Sequence, residues 1–94
     1  MDNALSLLGL IYRARKIVLG EEVLNQMKKI RLVLIASDIS QGSRERIEKK
    51  CHFYNVGMID RYESGQLSAA LGKNNVKVIG ITDKGFADSF LSKI

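Results

Sequence analysis

The sequence is poor in the side chains that build most catalytic and metal sites. It has one cysteine, Cys51, and one histidine, His52. A lone cysteine excludes a disulfide within the chain and is typical of proteins of the reducing cytosol. The two residues are neighbours on a predicted helix, where successive side chains point about 100° apart, so they do not converge on a metal or form a nucleophile–base pair. We interpret Cys51 as a core residue and His52 as a surface residue.

Linkers, membrane spans and phosphate-binding loops are also missing. Proline is absent, and no Gly/Ser-rich stretch or internal repeat interrupts the chain, so residues 1–94 are predicted to form one domain. No apolar run approaches the roughly 20 residues that cross a bilayer, and the start of the chain lacks the basic region of a signal peptide. The glycines form neither a dinucleotide-binding nor a Walker pattern. We therefore expect a cytoplasmic monomer without a cofactor, a metal or a membrane partner.

The acidic side chains do not indicate an enzyme either. They pair at Glu21/Glu22 and at Glu45/Glu48. The second pair lies on a predicted helix that is also rich in Arg and Lys, which is typical of a solvated charged face. General acid–base catalysis requires burial and a matched pKa, and neither follows from these two patterns.

Basic residues are in excess and are concentrated early in the chain. Fifteen Lys and Arg stand against ten Asp and Glu, which gives a net charge of +5 and a pI near 9.6. Residues 1–31 hold six basic and three acidic side chains, so they carry +3 of that charge. A pI above about 9 is typical of nucleic-acid-binding domains. A soluble protein that is merely basic is the alternative.

Helical and strand patterns alternate along the chain in the order α-β-α-β-α-β-α-β-α. The run 32–36 is continuously apolar, as expected of a central strand buried on both faces. Asp83 is predicted to cap the last helix, and Ser64 and Gly72 to bound the one before it. Such alternation favours an α/β fold with a mostly parallel or mixed sheet between helices. The predicted strands are 16–19, 32–36, 56–59 and 76–81.

Three loops that follow predicted strands carry the candidate site. They contain Gly20-Glu21-Glu22, then Asp38, then Arg61-Tyr62. In an open α/β sheet, ligands bind outside the carboxyl ends of the strands. Gly20 permits a tight passage from strand to helix, and carboxylates accept from the amino groups of guanine or cytosine. Arg61 is predicted to contact phosphate and Tyr62 to stack on an unpaired base.

Basic residues flank the first loop. These cations, and the residues of the three loops, also have a purely structural interpretation. Arg15, Lys16 and Lys29 are predicted to hold phosphates. Alternatively, these cations only solubilise the chain, and the acidic pair only complements a helix dipole. Asp38 then caps a turn, and Tyr62 packs against the edge of the domain.

Several segments are similar to one known family over nearly the whole chain. They are Leu7-Leu8-Gly9-Leu10, the basic approach to Gly20-Glu21-Glu22, residues 32–38, Lys50-Cys51, residues 67–72 and residues 81–86. Together they resemble the ribosomal-protein family that binds kink-turn RNA (the L-seven-A-e and L-thirty-e types), especially its small bacterial YlxQ-like branch. The resemblance implies a three-layer α/β/α sandwich with a four-stranded mixed sheet and about five helices.

The resemblance also implies site residues. In the family, an Asn-Glu pair after the glycine, and a Lys three residues beyond that Glu, meet the sheared G·A pairs of the kink. By position, Gly20 is kept, Glu22 falls at the Asn, Val23 at the Glu and Gln26 at the Lys. Val23 does not accept from guanine, so Glu21 or Glu22 has to substitute for the usual acceptor.

The remaining matched positions lie farther along the chain. Asp38 falls at the acidic position after the central strand, and Arg61-Tyr62 falls in the later loop that covers a flipped-out base. Arg15 stands where the bacterial branch commonly has glycine. We expect Glu22 and Gln26 to contact base edges, and Arg61 with Tyr62 to hold an unpaired nucleotide.

The sequence therefore predicts a non-catalytic RNA-binding protein. It is expected to recognise structured RNA, kink-turn-like or ribosomal, in the setting of the ribosome or translation, with ribosomal proteins as further partners. The alternative is a protein-interaction module of the same fold that has lost kink-turn recognition.

Overall fold

The predicted alternation of helices and strands is confirmed. The fold was obtained as a computed structural model and is described for residues 2–94. The elements are α1 (Asn3–Arg13), β1 (Ile17–Leu19), α2 (Glu22–Asn25), β2 (Leu32–Ile35), α3 (Gln41–Tyr54), β3 (Gly57–Ile59), α4 (Ser64–Leu71), β4 (Val78–Ile81) and α5 (Lys84–Leu91). Within this range, no helix combines the length and apolar character needed to cross a membrane.

The sheet is mixed, because its last strand lies between the first two. The strand order is β1-β4-β2-β3. β2 and β3 are parallel, whereas β4 is antiparallel to both β1 and β2, with Ile81 opposite Ile17 on one side and Leu32 on the other. β1, β2 and β3 therefore point the same way. We call the end where these three strands finish and β4 starts the upper end, and the opposite end the lower end.

The sheet is covered on both faces, which gives the predicted three layers. One face packs against α1, α4 and α5 through a cluster that includes Leu32, Leu34 and Phe90. The other face packs against α2 and α3 through a cluster that includes Val33 and Ile35. All four residues of β2 are buried, so the expected central strand with two buried faces is confirmed. Cys51 is also buried in the second cluster, while His52 is exposed, as interpreted from the sequence.

Helix boundaries differ from the predictions in three places. Ser40 caps α3, which begins at Gln41 rather than near Ser43. Ser64 is the first residue of α4 and Glu63 is its cap, with the Glu63 N–H donating to Gln66 Oε1 at 3.0 Å. The helix that was expected to reach residues 28–29 ends at Asn25, a weak helix former, and turns follow it. Gly72 and Asp83 bound α4 and α5 as predicted.

Candidate nucleic-acid interface

The three predicted loops meet at the upper end of the sheet. Backbone hydrogen bonds fix them there: Gly20 N–H donates to the Val78 carbonyl at 3.1 Å, and Ala36 N–H donates to the Lys77 carbonyl at 2.8 Å. Ser37 N–H then donates to the Tyr62 carbonyl at 2.8 Å, which joins the second loop to the third. The topology therefore brings together residues that are far apart in sequence.

Gly20 turns the chain from β1 into α2. Its φ is +62°, in the left-handed region, and a Cβ placed there would meet no atom within 4 Å. The position needs glycine for its backbone conformation and not for lack of space. The predicted passage from strand to helix through Gly20 is confirmed.

Gly20→Ala is expected to lower the free energy of unfolding by about 1–2 kcal/mol, since an L side chain in the left-handed region costs that much. Urea denaturation measures the change. Gly42→Ala is the matched control, because Gly42 lies in α3 with open space around it and without a positive φ. The control should keep parental stability or gain up to about 1 kcal/mol from helix propensity. Equal stabilities of the two variants would contradict this account of Gly20.

The acidic pair after Gly20 stays accessible. Glu21 Oε1 accepts from Arg46 Nη2 of α3 at 2.6 Å, with the two side chains 75% and 55% exposed. Exposed ion pairs of this kind contribute only about 0–1 kcal/mol. Both partners are therefore available to exchange this contact for a ligand.

Glu22 is held as an acceptor by its own helix. Its carboxylate accepts from Gln26 Nε2 at 2.8 Å and from Asn25 Nδ2 at 3.2 Å. These hydrogen bonds, that of Gln26 first, lower the pKa of Glu22, so the group is ionised at neutral pH. Val23 is fully buried, so the position matched to the family's acceptor belongs to the core, and Gln26 orients Glu22.

Asp38 ties the second loop to α4. Its Oδ1 accepts from Ser64 N–H at 2.8 Å, and its Oδ2 accepts from Ser64 Oγ at 2.7 Å. The hydrogen bond from the Ser64 hydroxyl, then that from the Ser64 N–H, lower the pKa of Asp38. The structure thus gives Asp38 a positioning contact at the upper end.

Tyr62 belongs to the core. It is 4% exposed, and its ring packs edge-on against Phe90 with the ring centroids 6.5 Å apart. Its hydroxyl donates to Asp2 Oδ2 at 3.0 Å. A ring enclosed in this way has no free face for a base, so the predicted stacking role of Tyr62 does not fit the structure. The alternative interpretation, packing against the domain, does fit it.

Arg61 and Glu21 lie on opposite flanks of the upper end. Arg61 follows β3 and is exposed, whereas Glu21 follows β1. With the order β1-β4-β2-β3, three strand spacings separate the flanks, a distance of about 14 Å. One ligand that contacts both residues must therefore be larger than a nucleotide.

Arg15, Lys16 and Lys29 lie at the lower end, apart from the loops with which they were grouped. They precede strands β1 and β2 rather than follow them, and the Lys16 carbonyl accepts from Thr82 N–H at 2.9 Å, beyond the end of β4. Four residue steps of extended chain put about 13 Å between Lys16 and Gly20. Arg15 has a φ of +63°, which explains why glycine suits this position.

Sequence reasoning missed the connection between α4 and β4. Because β4 is antiparallel to its neighbours, this connection delivers Lys73, Asn74, Asn75 and Lys77 to the upper end beside Gly20. Lys77 also faces Asp38, whose pKa its charge helps to lower. The Lys-Asn-Asn turn after Gly72 is visible in the sequence, but its place in the fold depends on the direction of β4.

A shallow groove of about 250 Å³ opens between these elements. Its floor is apolar, and its rim carries charged side chains of both signs. The lining residues are Gly20, Glu21, Leu24, Ile39, Ser40, Ser43, Arg46, Ile47, Lys77 and Val78. It is smaller than typical small-molecule sites, which measure about 300–1,000 Å³.

Neither a cluster of metal ligands nor a reactive thiol is found among the described residues. Between residues 2 and 94, no three His, Cys, Asp or Glu side chains lie close enough to share a metal ion. Burial, and then the charge of Glu48, raise the pKa of Cys51 to about 11, so the thiol is not a nucleophile at neutral pH. The arrangement suits recognition of an anionic ligand that also offers hydrogen-bond donors.

The chain is similar to two bacterial proteins named RNA-binding protein YlxQ. It is 36% identical over 89 residues to the protein of Bacillus subtilis (strain 168), covering 92% of this chain and 89% of that one. It is 32% identical over 89 residues to the protein of Enterococcus faecium, covering 92% and 85% respectively. No protein-family model matches the chain.

Two solved structures share the fold. A protein of unknown function from Bacillus halodurans C is 32% identical, with a TM-score of 0.93 and coverage of 98% of this chain and 96% of that one. The Giardia lamblia 15.5kD RNA binding protein is 22% identical, with a TM-score of 0.77 and coverage of 95% and 82%. At that identity the second likeness shows the fold alone.

Proposed function

Because the chain belongs to the YlxQ family, we propose that it is a non-catalytic protein that binds structured RNA with the upper end of its sheet. The observation that carries the proposal is the groove where Glu21, Arg46 and Lys77 stand together around Gly20. Two relatives at 32% and 36% identity are named RNA-binding proteins, which supports it.

The groove combines the two kinds of contact that RNA recognition requires. Arg46 and Lys77 supply positive charge for phosphates, which fixes the orientation of the RNA. Glu21 on the rim, and Glu22 next to it in the chain, supply acceptors for the amino groups of guanine or cytosine. Gly20 lets the backbone come close to the ligand, since it has no side chain in the way. The acidic pair makes the site selective for bases in an otherwise cationic surface.

The other candidate residues have defined parts in this proposal. Gln26 and Asp38 hold the first and second loops in place, and Arg61 meets phosphate on the far flank. Lys16 and Lys29, together with Arg15, form a second basic region at the lower end. We propose a kink-turn-like or ribosomal RNA as the ligand, a monomer acting in translation in the cytoplasm, and ribosomal proteins as its neighbours.

Filter binding tests the proposal with three RNAs. They are a kink-turn hairpin, a hairpin of equal length whose internal loop is closed by Watson–Crick pairs, and ribosomal RNA. We expect affinity for structured RNA in the micromolar range or tighter, falling as salt is raised because counterions are released on binding. If none of the three RNAs binds at low salt, the proposal is wrong.

Glu22→Ala tests the selective part of the site. We expect the preference for the kink-turn hairpin over the fully paired one to fall by about tenfold, the effect of losing one base contact. Glu45→Ala is the control for lost negative charge, because Glu45 is exposed on α3 rather than in the loop of the acidic pair, and it accepts from Gln41 of its own helix at 3.1 Å. If the two variants discriminate between the hairpins equally well, Glu22 does not read bases.

A protein-interaction module is the second candidate. The burial of Val23 and the engagement of Gln26 by Glu22 favour it, since the family's acceptor and cation are both missing from the surface. A pull-down after nuclease treatment separates the two candidates. Partners that persist without RNA would favour the protein-interaction module.

A further inference from the structure

Helix α3 divides its solvent-facing surface by charge. Arg46, Lys49, Lys50 and Phe53 follow the spacing i, i+3, i+4, i+7, which places them on one side of the helix. We call these four residues the basic face. Glu45 and Glu48 lie on the other side, where Arg44 is paired with Glu48 at 3.4 Å and with Asp60 at 2.8 Å.

The Phe53 side chain is exposed to solvent and does not contribute to the hydrophobic core. Its side chain is 79% exposed, the highest value among the large apolar side chains of residues 2–94. The core side of α3 is formed instead by Ile47 and Cys51, both buried. Phe53 contacts Tyr54 edge-on, with the centroids 5.0 Å apart and the planes at 78°. Most of the Phe53 side chain therefore stays open to solvent.

The charges around Phe53 are not neutralised. Among the described residues, neither Lys49 nor Lys50 is in an ion pair. Lys50 Nζ lies 6.0 Å from the centroid of the Tyr54 ring, a cation–π distance. The basic face thus joins unpaired cations to an open aromatic ring, the combination that binds single-stranded nucleic acid through phosphates and stacked bases.

The basic face starts at the groove and ends near the lower end. Arg46 lines the groove and reaches Glu21, while Phe53 lies two turns farther on, about 10 Å along the helix axis. Beyond it, Lys28 and Arg31 line a second hollow next to Tyr54. A strand that leaves the groove along α3 therefore meets positive charge along the whole route.

A protein or a membrane suits the basic face less well. Lys is depleted at the centres of protein interfaces, yet two lysines flank the ring. A helix that lies in a membrane turns a broad apolar face outward, whereas the apolar side of α3 is buried in the core. Charge complementarity thus favours a polyanion with exposed bases.

We propose that the basic face of α3 binds a single-stranded segment that flanks the folded RNA held in the groove, with one base stacked on Phe53. This inference rests on the proposed function, since the groove is where the folded part is held. It assigns to one helix the recognition of unpaired RNA next to a structured element.

Fluorescence anisotropy tests the inference with three labelled RNAs. They are a blunt kink-turn hairpin, the same hairpin with an oligouridine tail of about 10 nucleotides, within the range that one small domain covers, and the oligouridine alone. The parent protein is expected to bind the tailed hairpin about tenfold more tightly than the blunt one, the contribution of one stacked base. Phe53→Ala should lose this gain and keep the parental affinity for the blunt hairpin.

Two further variants separate stacking from charge and from folding. Phe53→Tyr keeps an aromatic ring and should keep the gain from the tail, whereas Phe53→Leu keeps an apolar side chain and should lose it. Lys49→Ala should reduce the slope of log affinity against log salt by about 1 for the tailed hairpin only. Thermal unfolding of each variant should match the parent, because both altered side chains lie on the surface.

The outcomes are distinguishable from those for the proposed function. No gain from the tail in the parent, or an unchanged gain in Phe53→Ala, would overturn the inference even if the blunt hairpin binds. If none of the structured RNAs binds at low salt, the proposed function fails. Oligouridine that then binds the parent but not Phe53→Ala would still support the basic face, whereas equal or absent binding would overturn the inference. A parent that sediments as a dimer, and becomes a monomer on Phe53→Ala, would show that the face binds a second copy and would also overturn the inference.

Discussion

Lys77→Glu is expected to weaken binding of structured RNA by about tenfold or more. The backbone of Lys77 is fixed by the hydrogen bond from Ala36, and its side chain lines the groove with Glu21 and Arg46. Reversing this charge removes a phosphate contact and adds a third carboxylate beside the acidic pair, and like charges across an interface cost affinity. Lys77→Ala should have a smaller effect and lower the salt slope by about 1.

Lys84→Glu is the control for Lys77→Glu. Lys84 carries the same charge, is 77% exposed and starts α5 at the lower end, so the net charge changes equally at the far side of the sheet. Filter binding with the kink-turn hairpin should show near-parental affinity for this variant. An equal loss in both variants would mean that the total charge decides binding, and that the groove does not.

Gly9→Ala is expected to lower the free energy of unfolding by about 2 kcal/mol. Gly9 lies in α1, and a Cβ there would stand 2.7 Å from the backbone carbonyl oxygen of Ala70 in α4. A backbone atom does not rotate away as a side chain does, so the two helices have to separate, and overpacking of this kind costs about 1–3 kcal/mol. Urea denaturation at neutral pH measures the loss.

Gly65→Ala isolates the contribution of that contact. Gly65 is also helical, but nothing lies within 4 Å of a Cβ at its position. Both variants replace a helical glycine by alanine, which favours the helix by up to about 1 kcal/mol, so any loss of stability in Gly9→Ala relative to Gly65→Ala reports the contact of α1 with α4. A Gly9→Ala protein as stable as Gly65→Ala would show that the helices separate without cost.

Local patterns predicted the elements of this fold but not their arrangement. The apolar run of β2 and the capping residue Asp83 act over a few residues, and both predictions are confirmed. The direction of β4 depends on pairing with β1 and β2, whose residues lie about 45 to 65 positions earlier in the chain. The sequence of a buried apolar strand has the same pattern whether the strand pairs in a parallel or in an antiparallel ladder, so it does not reveal the direction.

In the candidate site, too, local features were predicted from the sequence and long-range contacts were not. Gly20 was predicted from turn chemistry, because a positive φ is a local requirement. Tyr62 was assigned to the ligand because its partner Asp2, 60 positions away, is not visible as a partner in the sequence. Lys77 was missed because the position of a loop in an α/β fold depends on the direction of the strand that follows it.

The insertion of β4 between β1 and β2 also determines the stage of synthesis at which the complete sheet and its groove can form. Among the described residues, β1 is joined to the rest of the sheet only through β4, and the backbone acceptors for Gly20 and Ala36 belong to Val78 and Lys77. Domains begin to fold as the chain emerges from the ribosome, but contacts of long sequence separation must wait for their later partner. A nascent chain that ends before Lys77 and Val78 therefore lacks the backbone acceptors that fix Gly20 and Ala36. The groove is therefore completed only after β4 has been made, when almost the whole chain has been synthesised.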